Sequence, residues 1–302
     1  MEHQSKQGKT TYSINELGDK HELNLDDKNI SSLPEEIGQL ADLKSLSVYK
    51  NQLTTIPENL WQLTDLEVLN LADNKFVSLP KSIGNLTNLR MLDLGHNHLT
   101  ALPDSLARLA NLKFLYLSNN YLTSVEIGFE NLQELIYLNI TDNQLSELPE
   151  NIGKLTKLME LRLYNNQLKF LPNTVGELTG LRELHVMNNQ LNSIPETIGQ
   201  LKNLKKLMLQ SNHIEWLPDS LGNASGLTDL DLRFNNLMNI PESIGDLQNL
   251  KFMDLRANKL SSLPANMGNL KSLEKLDLRW NSLQSMPEWF RRLEERGCTI
   301  YT

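Results

Sequence analysis

Few residues in this 302-residue chain could do covalent or metal chemistry. The one cysteine, Cys298, has no histidine near it in sequence, so a thiolate nucleophile would lack an activating base, and a buried structural thiol is expected instead. His96 and His98 stand two apart with Asp73 and Asp93 nearby, a weak basis for a metal site. A bend at Asn97 would send the two rings apart, so solvated histidines are expected. No glycine-rich phosphate loop, HExxH, CxxC or twelve-residue calcium loop occurs. No catalytic residue, cofactor or metal is therefore expected. The remaining chemistry is that of recognition. Met91, Phe114, Tyr116, Tyr137, Arg162, Tyr164, His185, Met187 and Met208 form one group, dominated by types enriched where proteins bind each other. A second group repeats Asp-Leu-Arg at Asp231/Arg233, Asp254/Arg256 and Asp277/Arg279. Phe234 and Trp280 stand beside it, able to stack on arginine.

The elements that must position these residues are one unit written many times. Asparagine recurs at Asn51, Asn74, Asn97, Asn120, Asn143, Asn166, Asn189, Asn212, Asn235, Asn258 and Asn281, always 23 residues apart. A fixed period in this range predicts a solenoid. In Leu161-x-Leu163 the apolar residues are two apart, which sends both to one side of a short strand and the residues between them to solvent. The asparagine amide can then bond backbone groups of its own and the neighbouring coil, so the eleven predict a buried polar ladder. Every proline stands six residues after the asparagine position, as Pro172 follows Asn166, outside any strand. An acid commonly follows, as in Glu150 and Glu196, which suits the first turn of a short helical or 3₁₀ segment.

The unit Leu158-x-x-Leu161-x-Leu163-x-x-Asn166-x-Leu168-x-x-Leu171-Pro172 resembles the leucine-rich repeat. Its 23-residue form is found in intracellular Ras-group plant proteins, Ras-pathway scaffold proteins and many bacterial proteins. The resemblance covers roughly residues 20–295. It implies an α/β right-handed solenoid curved as a horseshoe, with a parallel sheet on the concave face and short helical or 3₁₀ segments on the convex face. It also implies that the concave face binds a protein, and it brings a small GTPase or other signalling protein into view as partner.

The solvent-facing positions lie six, four, two and one before each asparagine. The nine residues from Met91 to Met208 fall in the first three of these columns in the middle of the arc. They are expected to be exposed and to bind a partner; the alternative is that they stack on one another and stabilise the sheet by ~0.2–1 kcal/mol per pair. The Asp-Leu-Arg coils put Asp beside Asp and Arg beside Arg, relieved by diagonal pairs. They form either a self-satisfied ladder or a polar surface that reads a partner.

A net charge of −8 and pI near 5.4 argue against nucleic acid and anionic membrane surfaces as partners. No apolar run has the length of a membrane span or signal peptide, and the lone cysteine leaves no disulfide caps. A cytoplasmic monomer is expected, although a bacterial effector exported through a needle-type system would look the same. A small-ligand receptor or enzyme is the more distant alternative, since an open arc offers no deep pocket. Residues 1–19 read as a flexible arm or N-terminal cap, with Tyr12, Ile14 and Leu17 able to cover the first coil. Residues 20–287 read as about twelve coils, and 288–302 as a C-terminal cap that leaves no room for a further domain. Lys28 replaces the asparagine in the first coil. Glu126 replaces the proline and Glu130 the glycine of one coil, predicting a differently shaped back: either drift or a second contact site. Ala224 stands where other coils have Leu, predicting a thinner core.

Overall fold

The structure is a computed structural model and describes residues 21–302. The proposed N-terminal arm, with Tyr12, Ile14 and Leu17, lies outside the described residues. The two-residue apolar spacing yields strands of only three residues. In chain order they are β1 (Glu22–Asn24), β2 (Ser45–Ser47), β3 (Val68–Asn70), β4 (Met91–Asp93), β5 (Phe114–Tyr116), β6 (Tyr137–Asn139), β7 (Glu160–Arg162), β8 (Glu183–His185), β9 (Lys206–Met208), β10 (Asp229–Asp231), β11 (Phe252–Asp254), β12 (Lys275–Asp277) and β13 (Thr299–Tyr301). They form one open parallel sheet in sequence order. Pairing follows the repeat, so Leu161 lies beside Leu184 and Glu160 beside Glu183. The central residue of each strand from β1 to β12 is a buried leucine or methionine, and the core runs the length of the solenoid as a single column.

Behind the sheet the chain turns through 3₁₀ segments, ten of them five residues long, such as Glu150–Lys154. Each of these follows a proline held in an extended conformation, as at Pro149 (φ −70°, ψ 147°). The glycine late in the segment is required by close stacking: a Cβ on Gly199 would overlap the Ser220 carbonyl oxygen of the next coil. The coil carrying Glu126 and Glu130 differs as its sequence implied, with a three-residue segment, Phe129–Asn131, that starts after Gly128. Ala224 is fully buried in the core column.

The asparagine ladder satisfies backbone groups that the three-residue strands leave unpaired. Asn166 Oδ1 accepts from the Leu145 N–H of the preceding coil at 3.0 Å. Its Nδ2 donates to Ile140 O at 2.9 Å and Leu163 O at 3.0 Å, one carbonyl in each coil. The same bonds recur at Asn51, where the receiving coil is the one with Lys28. Asn51 through Asn258 are buried, and Asn281, in the last coil, is half-buried.

At the C-terminal end, the helix α1 (Trp289–Glu295) buries Trp289, Phe290 and Leu293 over the last coil. Gly297 takes φ +93°, a left-handed conformation that glycine adopts freely, and its N–H donates to Glu294 O. The chain then enters β13, which pairs with β12. No helix among the described residues is long and apolar enough to cross a membrane.

Candidate functional site

Local backbone chemistry explains part of the concave surface. The strand ends four residues before each asparagine, and the side chain there commonly caps the turn: Asn70, Asp93, Asn139, Asp231, Asp254 and Asp277 each accept the N–H two residues on. Asn24 does the same in the first coil. These residues are set by the turn. Tyr116, Arg162, His185 and Met208 occupy the same column without that function. The residue before each asparagine is left-handed, with φ between 51° and 60° from Lys50 to Trp280. Asp, Asn and Ser suit that conformation; Phe234 and Trp280 do not, and sequence reading did not anticipate this constraint.

The central group is brought together on neighbouring strands. The Tyr116 and Tyr137 rings lie 5.0 Å apart and tilted, and the Arg162 guanidinium stands 5.7 Å over Tyr137. Burial pushes the Tyr116 and Tyr137 hydroxyls above their ordinary range. Full exposure, expected from the sequence, is corrected. Only Phe114 is exposed, at 37%, while Met91, Tyr116, Tyr137, Arg162, Tyr164, His185, Met187 and Met208 are half-buried. Strands about 4.8 Å apart let long side chains lie across their neighbours and cover one another. Mutual stacking and an outward-facing apolar surface therefore coexist.

Sequence reading gave no weight to two acids beside this group. Glu160 and Glu183 lie side by side on β7 and β8, with His185 Nε2 3.0 Å from Glu183 Oε2 and 4.0 Å from Glu160 Oε1. Arg162 Nε reaches Glu160 Oε1 at 2.5 Å, and Lys206 Nζ reaches Glu183 Oε1 at 2.9 Å. Their spacing of 23 in the strand column was the available signal.

The Asp-Leu-Arg coils pair differently from the diagonal scheme. Each arginine turns back on the aspartate of its own coil: Arg256 to Asp254 at 2.6 Å, Arg279 to Asp277 at 2.6 Å, Arg233 to Asp231 at 3.2 Å. Diagonal contacts are longer, 3.5 Å for Arg256 to Asp277 and 3.9 Å for Arg233 to Asp254. Asp231 and Asp277, expected at solvent-facing positions, are buried, whereas Asp254 between them is half-buried. The pairs are not equivalent. Arg233 donates through Nε and Nη2 to Gln210 Oε1, leaving Asp231 half-paired, and burial pushes that carboxyl up to about 6. Burial also opposes ionisation of Asp277, but hydrogen bonds from Arg279 outweigh it and hold the carboxyl below its ordinary range. The Arg279 guanidinium lies 5.9 Å from the Trp280 ring and 5.1 Å from Tyr301, whereas Phe234 packs on Trp280 across one coil, at 6.3 Å.

The sparse chemistry elsewhere is placed as the sequence implied. Cys298 is buried, and burial pushes its thiol up to about 11, far from a reactive thiolate. His98 stacks on Tyr121, while His96 faces Asn119 at 3.4 Å, so the two rings have different partners.

The sequence profile of the leucine-rich repeat region matches residues 2–96, 58–136, 125–236 and 195–295. No curated protein sequence matches the chain. Among solved structures, a leucine-rich-repeat protein of Leptospira interrogans is 32% identical, with a TM-score of 0.73 over 91% of this chain and 76% of that one. The functional domain of InlJ from Listeria monocytogenes is 27% identical, with a TM-score of 0.73 over 89% of this chain and 55% of that one. The ectodomain of the Arabidopsis thaliana receptor kinase GASSHO1/SCHENGEN3, solved with Casparian strip integrity factor 2, is 30% identical; its TM-score is 0.64 over 93% of this chain and 41% of that one. Proteins of this fold are commonly protein-interaction modules. This chain, matched by the repeat profile along nearly all its length, belongs to the leucine-rich repeat proteins.

Proposed function

We propose that this chain is a non-catalytic module that binds a protein partner on its concave face, through Met91, Phe114, Tyr116, Tyr137, Arg162, Tyr164, His185, Met187 and Met208. The observation that carries the reading is the column at the strand ends. Seven coils there use an Asn or Asp that caps the turn, whereas four between β5 and β9 give up that cap for Tyr116, Arg162, His185 and Met208. Large residues that do not serve the turn, beside an exposed Phe114, supply contact area at low entropic cost. The Asp-Leu-Arg coils are read as structural, since Arg256 and Arg279 are each spent on the aspartate of their own coil and Arg233 on Gln210 and Asp231. We place the module in the cytoplasm as a scaffold monomer, consistent with one buried free cysteine.

The test is an affinity capture from lysate with the wild type and the Tyr116/Tyr137/Tyr164→Ser variant, both checked by circular dichroism. A protein retained by the wild type and lost from the folded variant supports the concave face. Equal retention of the same proteins by both chains refutes it.

A further inference from the structure

We propose that Glu160, Glu183 and His185 bind one divalent cation of the zinc class on the concave face. Glu160 and Glu183 are directly paired across β7 and β8, and His185 lies two residues along β8, so all three project from one face. One donor atom from each lies within 4.8 Å of the other two. Ligand atoms around a tetrahedral zinc sit about 3.3 Å apart, given zinc–ligand bonds of about 2.0–2.2 Å. His185 Nε2 and Glu183 Oε2 are at 3.0 Å, in a hydrogen bond that a cation would replace, and the Glu160 carboxylate, whose Oε1 is bonded to Arg162 and lies 4.0 Å from the imidazole, must rotate to present Oε2.

The donor set chooses the ion. One imidazole nitrogen with two carboxylate oxygens suits zinc and its neighbours, whereas calcium takes six to eight oxygens. Three protein ligands leave a fourth position open to the space inside the arc. The carboxylates are also held by cations: Lys206 takes Glu183 Oε1 and leaves Oε2 toward His185, and Arg162 takes Glu160 Oε1, leaving Glu160 Oε2 to serve as the ligand. The three side chains are partly desolvated, at 15%, 24% and 28% exposure, which strengthens attraction for a cation.

Two like charges at directly paired strand positions oppose sheet formation, and a cation between them reverses the sign of that interaction. Arg162 and Lys206 already offset the two negative charges, which lowers the attraction a cation would meet there. The proposal does not depend on partner binding and is read on the isolated chain.

The experiment is isothermal titration of the chelator-treated full chain with Zn²⁺, followed by Co²⁺ absorption spectra. One ion per chain is expected to bind. His185→Ala, Glu183→Gln and Glu160→Gln should each weaken binding by more than about tenfold, since even outer ligand partners carry about that much. The His96→Ala/His98→Ala variant should bind as the wild type does, and the visible bands of bound Co²⁺ should disappear in His185→Ala. Circular dichroism checks each variant; should His185→Ala fail to fold, the two glutamine substitutions decide. Absence of saturable Zn²⁺ binding, or affinity unchanged in folded Glu160→Gln and Glu183→Gln, overturns the proposal.

Discussion

Asn166→Ala tests how the repeat is held together. The side chain satisfies the Leu145 N–H and the carbonyls of Ile140 and Leu163, all buried and out of reach of water. Truncation, at the sixth of the eleven asparagines, leaves the buried Leu145 N–H without a partner, while Ile140 O keeps its bond from Asn143 Nδ2 at 3.3 Å and Leu163 O keeps its bond from Asn189 Nδ2 at 3.0 Å. At about 1–3 kcal/mol for the orphaned donor and about 0.5–1.5 kcal/mol for each of the two bonds lost to carbonyls that keep another donor, the loss is expected to be about 2–6 kcal/mol. Asn281→Ala is the internal control. It removes equivalent bonds, from Leu260 N–H and to Leu255 O and Leu278 O, but the residue is half-buried and solvent can replace the amide. Its expected cost is about 1–2 kcal/mol. Urea unfolding followed by circular dichroism measures both, with the denaturant slope showing whether the solenoid still unfolds as one unit. The ladder argument fails if Asn166→Ala costs less than about 1 kcal/mol, or if the two substitutions cost the same.

Asp231 supplies a pH signature. The folded protein keeps the proton up to about pH 6, whereas 3.8 is the ordinary value, so this group stabilises the fold fully below 3.8 and loses that contribution as pH rises through about 6. The loss is at most about 2–3 kcal/mol, and Asp231→Asn should remove it from stability curves measured between pH 4 and 7. Arg256→Ala separates a structural ladder from a binding one: the structural reading predicts a stability loss of about 1–3 kcal/mol from removing the guanidinium that bonds Asp254, with partner retention unchanged in the capture assay. Gly199→Ala should cost about 1–3 kcal/mol in chemical denaturation, because the added methyl meets the Ser220 carbonyl.

The sequence alone determined everything that follows from the period. The spacing of Leu161 and Leu163, the recurrence of asparagine every 23 residues and the confinement of proline to one place are local constraints, and each coil repeats them. They yield strand, ladder and turn without reference to any distant contact, because in a solenoid the distant contacts are themselves the next copy of the unit. Coil departures were legible for the same reason, as Glu126 and Glu130 show.

The tertiary structure decided what depends on side-chain direction between coils. Only the stacked coils show that Arg256 turns back to Asp254 rather than across to Asp277, and that Arg233 is drawn off Asp231 by Gln210. Periodicity places Glu160 beside Glu183, but it does not say that His185 rotates toward both. Half-burial of the tyrosines likewise arises from neighbours lying across one another at strand spacing, a property of rotamers that a column of letters does not contain.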